Sequence, residues 1–354
     1  MSFKMPKLAV ACFSIAIPFS FARPSYPHSS YPHHHLPEWT PLASIPSPRQ
    51  EHTTFFLPPS TIGILGGVAP ARGAEVATTN ITQFYSISDN TWRTVAPLPK
   101  PINHVNAAVS GGKVYVLGGL VDTNNGVRAW SGIADSWVFD PVTDVWSALP
   151  PMPAEEARGS AAMGVYDGKI ILAGGMRVLE LQGRYLQDTV STVSIFDTVD
   201  GKWLEVPAAA KNIPEARDHA GAAVVGDKFY ILGGRDHGQV NVKDTVFVLD
   251  LHNISVGWRT SEGRMPTPRG GVAAASVGSK IYTFGGEGNR ELESGVYNET
   301  EVFDTVSETW DRLAPMKIPR HGTYAVGVEG RVYIPGGGTL QGGNPVADFD
   351  VFSP

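Results

Sequence analysis

Arginine recurs in this chain at a spacing that could gather positive charge around one point. Six short apolar strands, each closing on a glycine pair, open at residues 61, 113, 169, 228, 280 and 331. Eleven residues before the last four of these openings stand Arg158, Arg217, Arg269 and Arg320. The same count reaches Gln50 and Ile102 in the first two, with Arg49 beside Gln50. Nine residues before the openings stand His52, His104, Ser160, His219, Gly271 and Gly322, and His321 directly follows Arg320. Loops after the glycine pairs add Arg72, Glu75, Arg177, Arg235, Asp236, His237, Glu287 and Arg290. Converging guanidinium forks suit a carboxylate, phosphate, enolate or acidic peptide. Histidine, arginine and glutamate together could also move a proton in an isomerisation or cyclisation. The residues leave a structural alternative open. The forks could instead bond turn carbonyls or acids such as Glu155, Glu156, Glu215 and Asp218, and the histidines could fill a wall. No phosphate-binding loop, zinc-ligand spacing or serine elbow occurs, so neither cofactor nor metal is expected.

These residues need a frame that repeats. The stretch Lys113-Val-Tyr-Val-Leu-Gly-Gly119 alternates like a half-buried strand and stops at a glycine pair. Comparable runs end at Gly66-Gly67, Gly174-Gly175, Gly233-Gly234, Gly285-Gly286 and Gly336-Gly337, a period of 51 to 59 residues. Such a period marks a repeat array. Each unit reads as four short strands: a small-residue strand, the glycine-ended strand, one of the form Val138-Phe139-Asp140, and one marked by tryptophan. Four strands per unit match the blade of a propeller. In an antiparallel blade, the start of strand one and the end of strand two share an edge. The arginines and the post-glycine loops should therefore meet at one mouth of the ring.

The ends of the chain supply the closure. Phe349-Asp-Val-Phe352 is followed only by Ser353 and Pro354, whereas Trp39 lies in Pro37-Glu-Trp-Thr-Pro41 with no strand before it. Trp92, Trp146, Trp203, Trp258 and Trp310 mark the other fourth strands. The spacing predicts that the strand around Trp39 completes the sixth blade and protects its edge. At regular positions in strand four, these tryptophans are expected to pack between blades rather than form a carbohydrate platform.

With its glycine pairs, aromatic–aspartate third strands and tryptophan fourth strands, the chain from Trp39 to Pro354 resembles the kelch repeat. Its second half, from Pro268-Arg-Gly-Gly271 to Pro335-Gly-Gly-Gly338, is similar to secreted kelch proteins related to galactose oxidase. The resemblance implies an all-β, six-bladed kelch-type propeller over residues 37–354. It also invites a copper-radical reading, whose crosslinked tyrosine requires a cysteine. Cys12, the only cysteine, lies in a predicted signal peptide, so a mature chain could not form that crosslink.

The signal consists of Lys4 and Lys7, an apolar run from Leu8 to Phe21, and Ser20-Phe21-Ala22 as the cleavage site. The run is too short for a membrane span. Residues 23–36 form a Pro- and His-rich leader in which His28, His33, His34 and His35 lack a carboxylate or cysteine to complete a metal set. Sequons at Asn80, Asn253 and Asn298 could carry glycans. The charge of −6, or −8 without the signal lysines, argues against a nucleic-acid surface. The expectation is a secreted monomer binding an anionic small molecule, glycan or protein partner at one mouth of its channel through Arg158, Arg217, Arg269, Arg320, Arg235, His219, His321 and Glu287. A cofactor-independent isomerase, epimerase or cyclase, and a wall or matrix protein, are the alternatives.

Overall fold

The computed structural model describes Met1 and residues 37–71, 74–124, 128–182 and 186–354. Apart from Met1, the predicted signal and leader lie outside the described residues, as do Arg72 and the side chain of Glu75.

Six four-stranded antiparallel blades follow the sequence repeat. Blade 1 comprises Thr53–Leu57, Thr61–Leu65, Thr82–Ser86 and Thr91–Val95. Blade 2 comprises Ala107–Ser110, Lys113–Asn124, Arg128–Asp140 and Val145–Leu149. Blade 3 comprises Ala162–Tyr166, Lys169–Ala173, Val193–Asp197 and Lys202–Leu204, and blade 4 comprises Gly221–Val225, Lys228–Leu232, Val246–Asp250 and Trp258–Thr260. Blade 5 runs through Ala273–Val277, Lys280–Phe284, Thr300–Asp304 and Thr309–Arg312. Blade 6 has Val326–Val328, Arg331–Pro335 and Phe349–Ser353, and its fourth strand is Glu38–Pro41 from the other end of the chain. Trp39 faces Phe352 in that pairing.

The first strands neighbour one another in order around the axis, blade 6 returning to blade 1. They carry small residues because the inner radius is narrow. Between them lies a cavity of about 220 Å³ lined by residues of all six blades, including Thr54, Ala108, Met163, Ala222, Ala274 and Tyr324. Apolar clusters fill the spaces between adjacent blades, as with Phe84, Val116 and Phe139 at the junction of blades 1 and 2.

Each fourth-strand tryptophan fastens its blade to the preceding one. The indole N–H of Trp92, Trp146, Trp203, Trp258, Trp310 and Trp39 donates to the carbonyls of Ala43, Ala96, Pro150, Ala210, Gly263 and Ala314, at 2.8–3.2 Å. Its ring packs on the third-strand aromatic, as in Phe139–Trp146, with centroids 5.0 Å apart, except in blade 4, where Trp258 packs on Phe229 of the second strand. The tryptophans are thus occupied in packing.

The turns between strands one and two explain an offset in the arginine count. Five blades use two residues, as between Ser110 and Lys113, but blade 1 pairs Leu57 with Thr61 and uses three. Counting back therefore lands one residue late in blade 1, and Arg49, not Gln50, is the true equivalent.

Candidate functional site

The arginines do not form a cationic funnel. Arg49, Arg158, Arg217, Arg269 and Arg320 are each at most 1% exposed, with guanidiniums turned into their own blades. Arg158 donates through Nε to Gly174 O at 2.6 Å and through Nη1 to Glu156 O at 2.7 Å. Arg269 donates to Gly285 O at 2.6 Å and to Glu301 Oε2 at 2.5 Å, and Arg320 to Asp348 O at 2.8 Å and Asp350 Oδ2 at 2.5 Å. Arg217 bonds Glu215 and Thr245 and lies over the Phe247 ring.

The reason is local. Glycine pairs end the second strands with φ > 0, leaving carbonyls without a sheet partner, and in blades 3, 5 and 6 the arginine fork caps them, whereas Arg49 and Arg217 bond other groups of their own blades. The arginine's own carbonyl receives the second glycine N–H of the preceding blade, as in Gly286 N to Arg320 O at 2.9 Å. Space there is minimal, since a Cβ on Gly285 (φ +57°) would meet Arg320 O at 2.0 Å. Blade 2 confirms the logic by exception. Its central strands continue past Gly118-Gly119, with Ile133 facing Gly119, so no cap is needed and Ile102 holds the arginine position.

Two residues beyond each of these positions, the chain turns through φ > 0 at Glu51, His104, Ser160, His219, Gly271 and Gly322, with φ from +49° to +64°. Their backbones form a closed girdle around the axis. His104 N donates to Glu51 O, Ser160 N to His104 O, Gly271 N to His219 O, Gly322 N to Gly271 O and Glu51 N to Gly322 O, at 2.6–3.3 Å. The remaining link runs from His219 N to Ser160 Oγ at 3.2 Å. Side chains occupy one part of the girdle and the two glycines leave room for them. A Cβ on Gly322 would meet Glu51 Oε1 at 2.3 Å.

A buried polar group gathers at the girdle. His104 Nε2 is 3.0 Å from His219 Nε2 and 3.2 Å from Glu51 Oε2. Behind the rings, His104 Nδ1 meets Asn103 Oδ1 and His219 Nδ1 meets Asp218 Oδ1, both at 2.6 Å. Arg235 donates to Asp218 at 3.0 Å and also to Glu287. His321 Nδ1 lies 3.4 Å from Glu287 Oε2, and His321 Nε2 donates to Leu340 O at 2.8 Å. Burial pushes Asp218 upward, but His219, Arg235 and Thr189 outweigh it and hold the carboxyl below its usual range. Burial likewise opposes ionisation of Glu287, yet His321, Arg235 and His219 bring it down to about 2. Burial, with His219 and Arg235, keeps His104 neutral well below its ordinary value.

Non-repeating hairpins cover this group. Gln187 and Thr189, on a ribbon that extends blade 2 through Met176–Glu180, donate to Asp218. Trp130 packs on His104, with centroids 5.3 Å apart, and Gly342 N reaches Glu287 at 3.1 Å from the Gly338–Leu340/Gly343–Pro345 hairpin. The structure thus brings His219, His321, Arg235 and Glu287 together and leaves Arg158, Arg217, Arg269 and Arg320 out. The other loop residues lie apart: Arg177 pairs with Asp188, His237 with Asp236, and Arg290 reaches Val240 O. Glu51, Asn103 and Gln187 are the residues that sequence reasoning missed. Glu51 was displaced by the three-residue turn of blade 1, and Gln187 lies on an irregular loop that no repeat register reaches.

Six blades with glycine-pair loops and tryptophan fasteners define a kelch propeller, and the chain belongs to the KLHDC2/KLHL20/DRC7 Kelch-repeats domain family, matched over residues 34–234 and 219–354. It is 41% identical over 320 residues to Kelch-like protein terF of Aspergillus terreus, covering 90% of this chain and 67% of that protein. It is 27% identical over 274 residues to Kelch domain-containing protein 3 of Homo sapiens, covering 72% and 69%. N-(sulfonatooxy)prop-2-enimidothioate sulfolyase of Thlaspi arvense is 32% identical over 120 residues, 34% of this chain and 33% of that enzyme. The solved structure of YjhT shares the fold, with a TM-score of 0.69 at 18% identity over 88% of this chain and 97% of that one.

Proposed function

We propose that the protein is a secreted binding propeller that recognises a polar small molecule, a glycan or a protein segment on its loop-bearing face. The observation that carries this reading is that the hairpins departing from the repeat cluster on that face. Hairpins at Val68–Ala71/Ala74–Thr78, at the extended end of blade 2, at 176–189 and at 338–345 surround one buried polar group. Convergent polar side chains beneath irregular loops are the usual form of a ligand site. An anionic ligand remains compatible with exposed Arg177 and Arg290, but the buried arginines no longer argue for one. Secretion rests on the N-terminal sequence and on the sequons. Asn253 and Asn298 are exposed, whereas Asn80 is half-buried and donates to Leu98 O at 3.3 Å.

Thermal-shift titration against neutral sugars, uronic and sialic acids, aromatic acids and acidic peptides tests the binding face. Stabilisation by one class should be lost in Arg177→Ala or Arg290→Ala and kept in Lys202→Ala, which lies at the start of the exposed fourth strand of blade 3. Equal stabilisation in all three variants would place the site elsewhere.

A second reading, an acid–base isomerase or cyclase, is favoured by the Asp218–His219 pair at 2.6 Å. Such a pair orients an imidazole and fixes its tautomer. One relative is named a sulfolyase, and its match covers a third of this chain.

A further inference from the structure

The girdle holds side chains where glycine would fit with less strain. Blades 5 and 6 place Gly271 and Gly322 at this position, but blades 1, 2 and 4 retain Glu51, His104 and His219 at φ of +53°, +49° and +52°. Non-glycine residues in that region are uncommon, and they cluster where the strained conformation serves a site. All three are nearly inaccessible, at 2–6% exposure.

The hydrogen bonds around them are the second observation. Asn103 Oδ1 and Asp218 Oδ1 accept from the Nδ1 atoms of His104 and His219. With its proton on Nδ1, each imidazole presents a lone pair at Nε2. The two Nε2 atoms nonetheless face each other at 3.0 Å, and Glu51 Oε2 lies 3.2 Å from one and 3.7 Å from the other. Three electron-rich atoms so placed repel unless a proton or a metal ion lies among them. Bonds of about 2.1 Å from a divalent metal hold neighbouring ligand atoms about 3.0–3.5 Å apart, close to the separations found. The ring centroids are 4.8 Å apart at 75°. That is closer than two rings meeting head-on would stand at the same Nε2 separation, so the two nitrogens are not aimed straight at each other.

Charge points the same way. Glu51, Asp218 and Glu287 face a single guanidinium, that of Arg235, across three imidazoles. Buried His321 Nδ1 has no hydrogen-bond partner and lies 3.9 Å from Glu51 Oε1. Arg235 Nη2, at 3.1 Å, is the donor that a metal would displace from His219 Nε2.

We propose that Glu51, His104 and His219 bind a divalent transition metal of the Fe²⁺, Co²⁺ or Zn²⁺ class as a two-histidine, one-carboxylate site. Imidazole and carboxylate suit such ions, and three protein ligands leave positions for water or a small oxygen ligand. Asn103 and Asp218 are the outer groups that fix each imidazole's tautomer and direction. The spacing of the chain conceals the set, because its ligands come from three different blades. The proposal stands on this geometry and does not depend on which ligand the loop face recognises.

The test is Co²⁺ titration of the mature chain carrying His28→Ala, His33→Ala, His34→Ala and His35→Ala, so that leader imidazoles do not compete. One equivalent should bind with visible d–d absorption. Affinity should fall at least tenfold in Glu51→Gln and a hundredfold in His104→Gly, and should be unchanged in His237→Ala. Glycine fits the backbone of this position, as in two other blades, but His104 also packs on Trp130, so the melting of His104→Gly is compared with that of its parent without metal. If it melts lower, the isosteric Glu51→Gln decides. Failure of the parent to bind Co²⁺ stoichiometrically, or equal affinity in the parent and Glu51→Gln, overturns the proposal.

Discussion

Arg269 and Glu301 are both fully buried and joined at 2.5 Å. Removing one partner of such a pair leaves the other charge without compensation and costs about 3–5 kcal/mol. Arg269→Met should therefore lose that much in urea denaturation, and Arg269→Met combined with Glu301→Leu should recover most of it. The single variant should leave ligand stabilisation on the loop face unchanged below its melting range. An unaltered denaturation midpoint in Arg269→Met would contradict the capping role. The level of these arginines was legible from spacing alone, because a strand repeat determines height around the ring. Their direction was not. A count of residues cannot say whether a fork turns toward the axis or back onto the carbonyls left by a glycine pair.

Among the elements, the turns from third to fourth strand carry their own pH dependence. Asp140, Asp197 and Asp304 accept backbone N–H groups two residues ahead, from Val142, Val199 and Val306, each at 2.9 Å. Backbone N–H bonds lead the causes that lower all three carboxyls below the ordinary value of 3.8: that of Val142 for Asp140, that of Asp200 before Val199 for Asp197, and that of Ser307 before Val306 for Asp304. A carboxyl lowered by folding stabilises the native state above its unfolded value, and the contribution is lost as pH falls through the folded value. Melting temperature should thus decline below about pH 4, and the Asp140→Asn, Asp197→Asn, Asp304→Asn triple variant should decline less steeply over that range. An identical slope would assign the acid sensitivity to other groups. Blades were readable as elements because glycine pairs, aspartates and tryptophans punctuate each one. The ribbon at 176–189 was not, since it pairs with the extended hairpin of blade 2 rather than with its own blade.

For the molecule as a whole, Trp39 is the residue on which ring closure can be tested. It is 7% exposed, packs on Phe284 and Phe352, and donates to Ala314 O. Trp39→Ala should lower the unfolding free energy by about 3–5 kcal/mol, measured by guanidinium denaturation with circular dichroism, while Trp39→Phe should lose less. A loss under 1 kcal/mol would mean that the sixth blade holds without its borrowed strand. The ring was visible in the sequence because its two ends each lack what the other has. The girdle was invisible, because it is made by backbone groups more than fifty residues apart. It acts as a hoop does on staves. Radial spreading of the blades would break several of its hydrogen bonds together, so the girdle holds Glu51, His104 and His219 in place beneath the hairpins that roof them. For anything held there, the roof would add its own barrier to that of the bonds broken on leaving. Shortening the 338–345 hairpin should therefore speed exchange in both directions and leave the equilibrium affinity nearly unchanged.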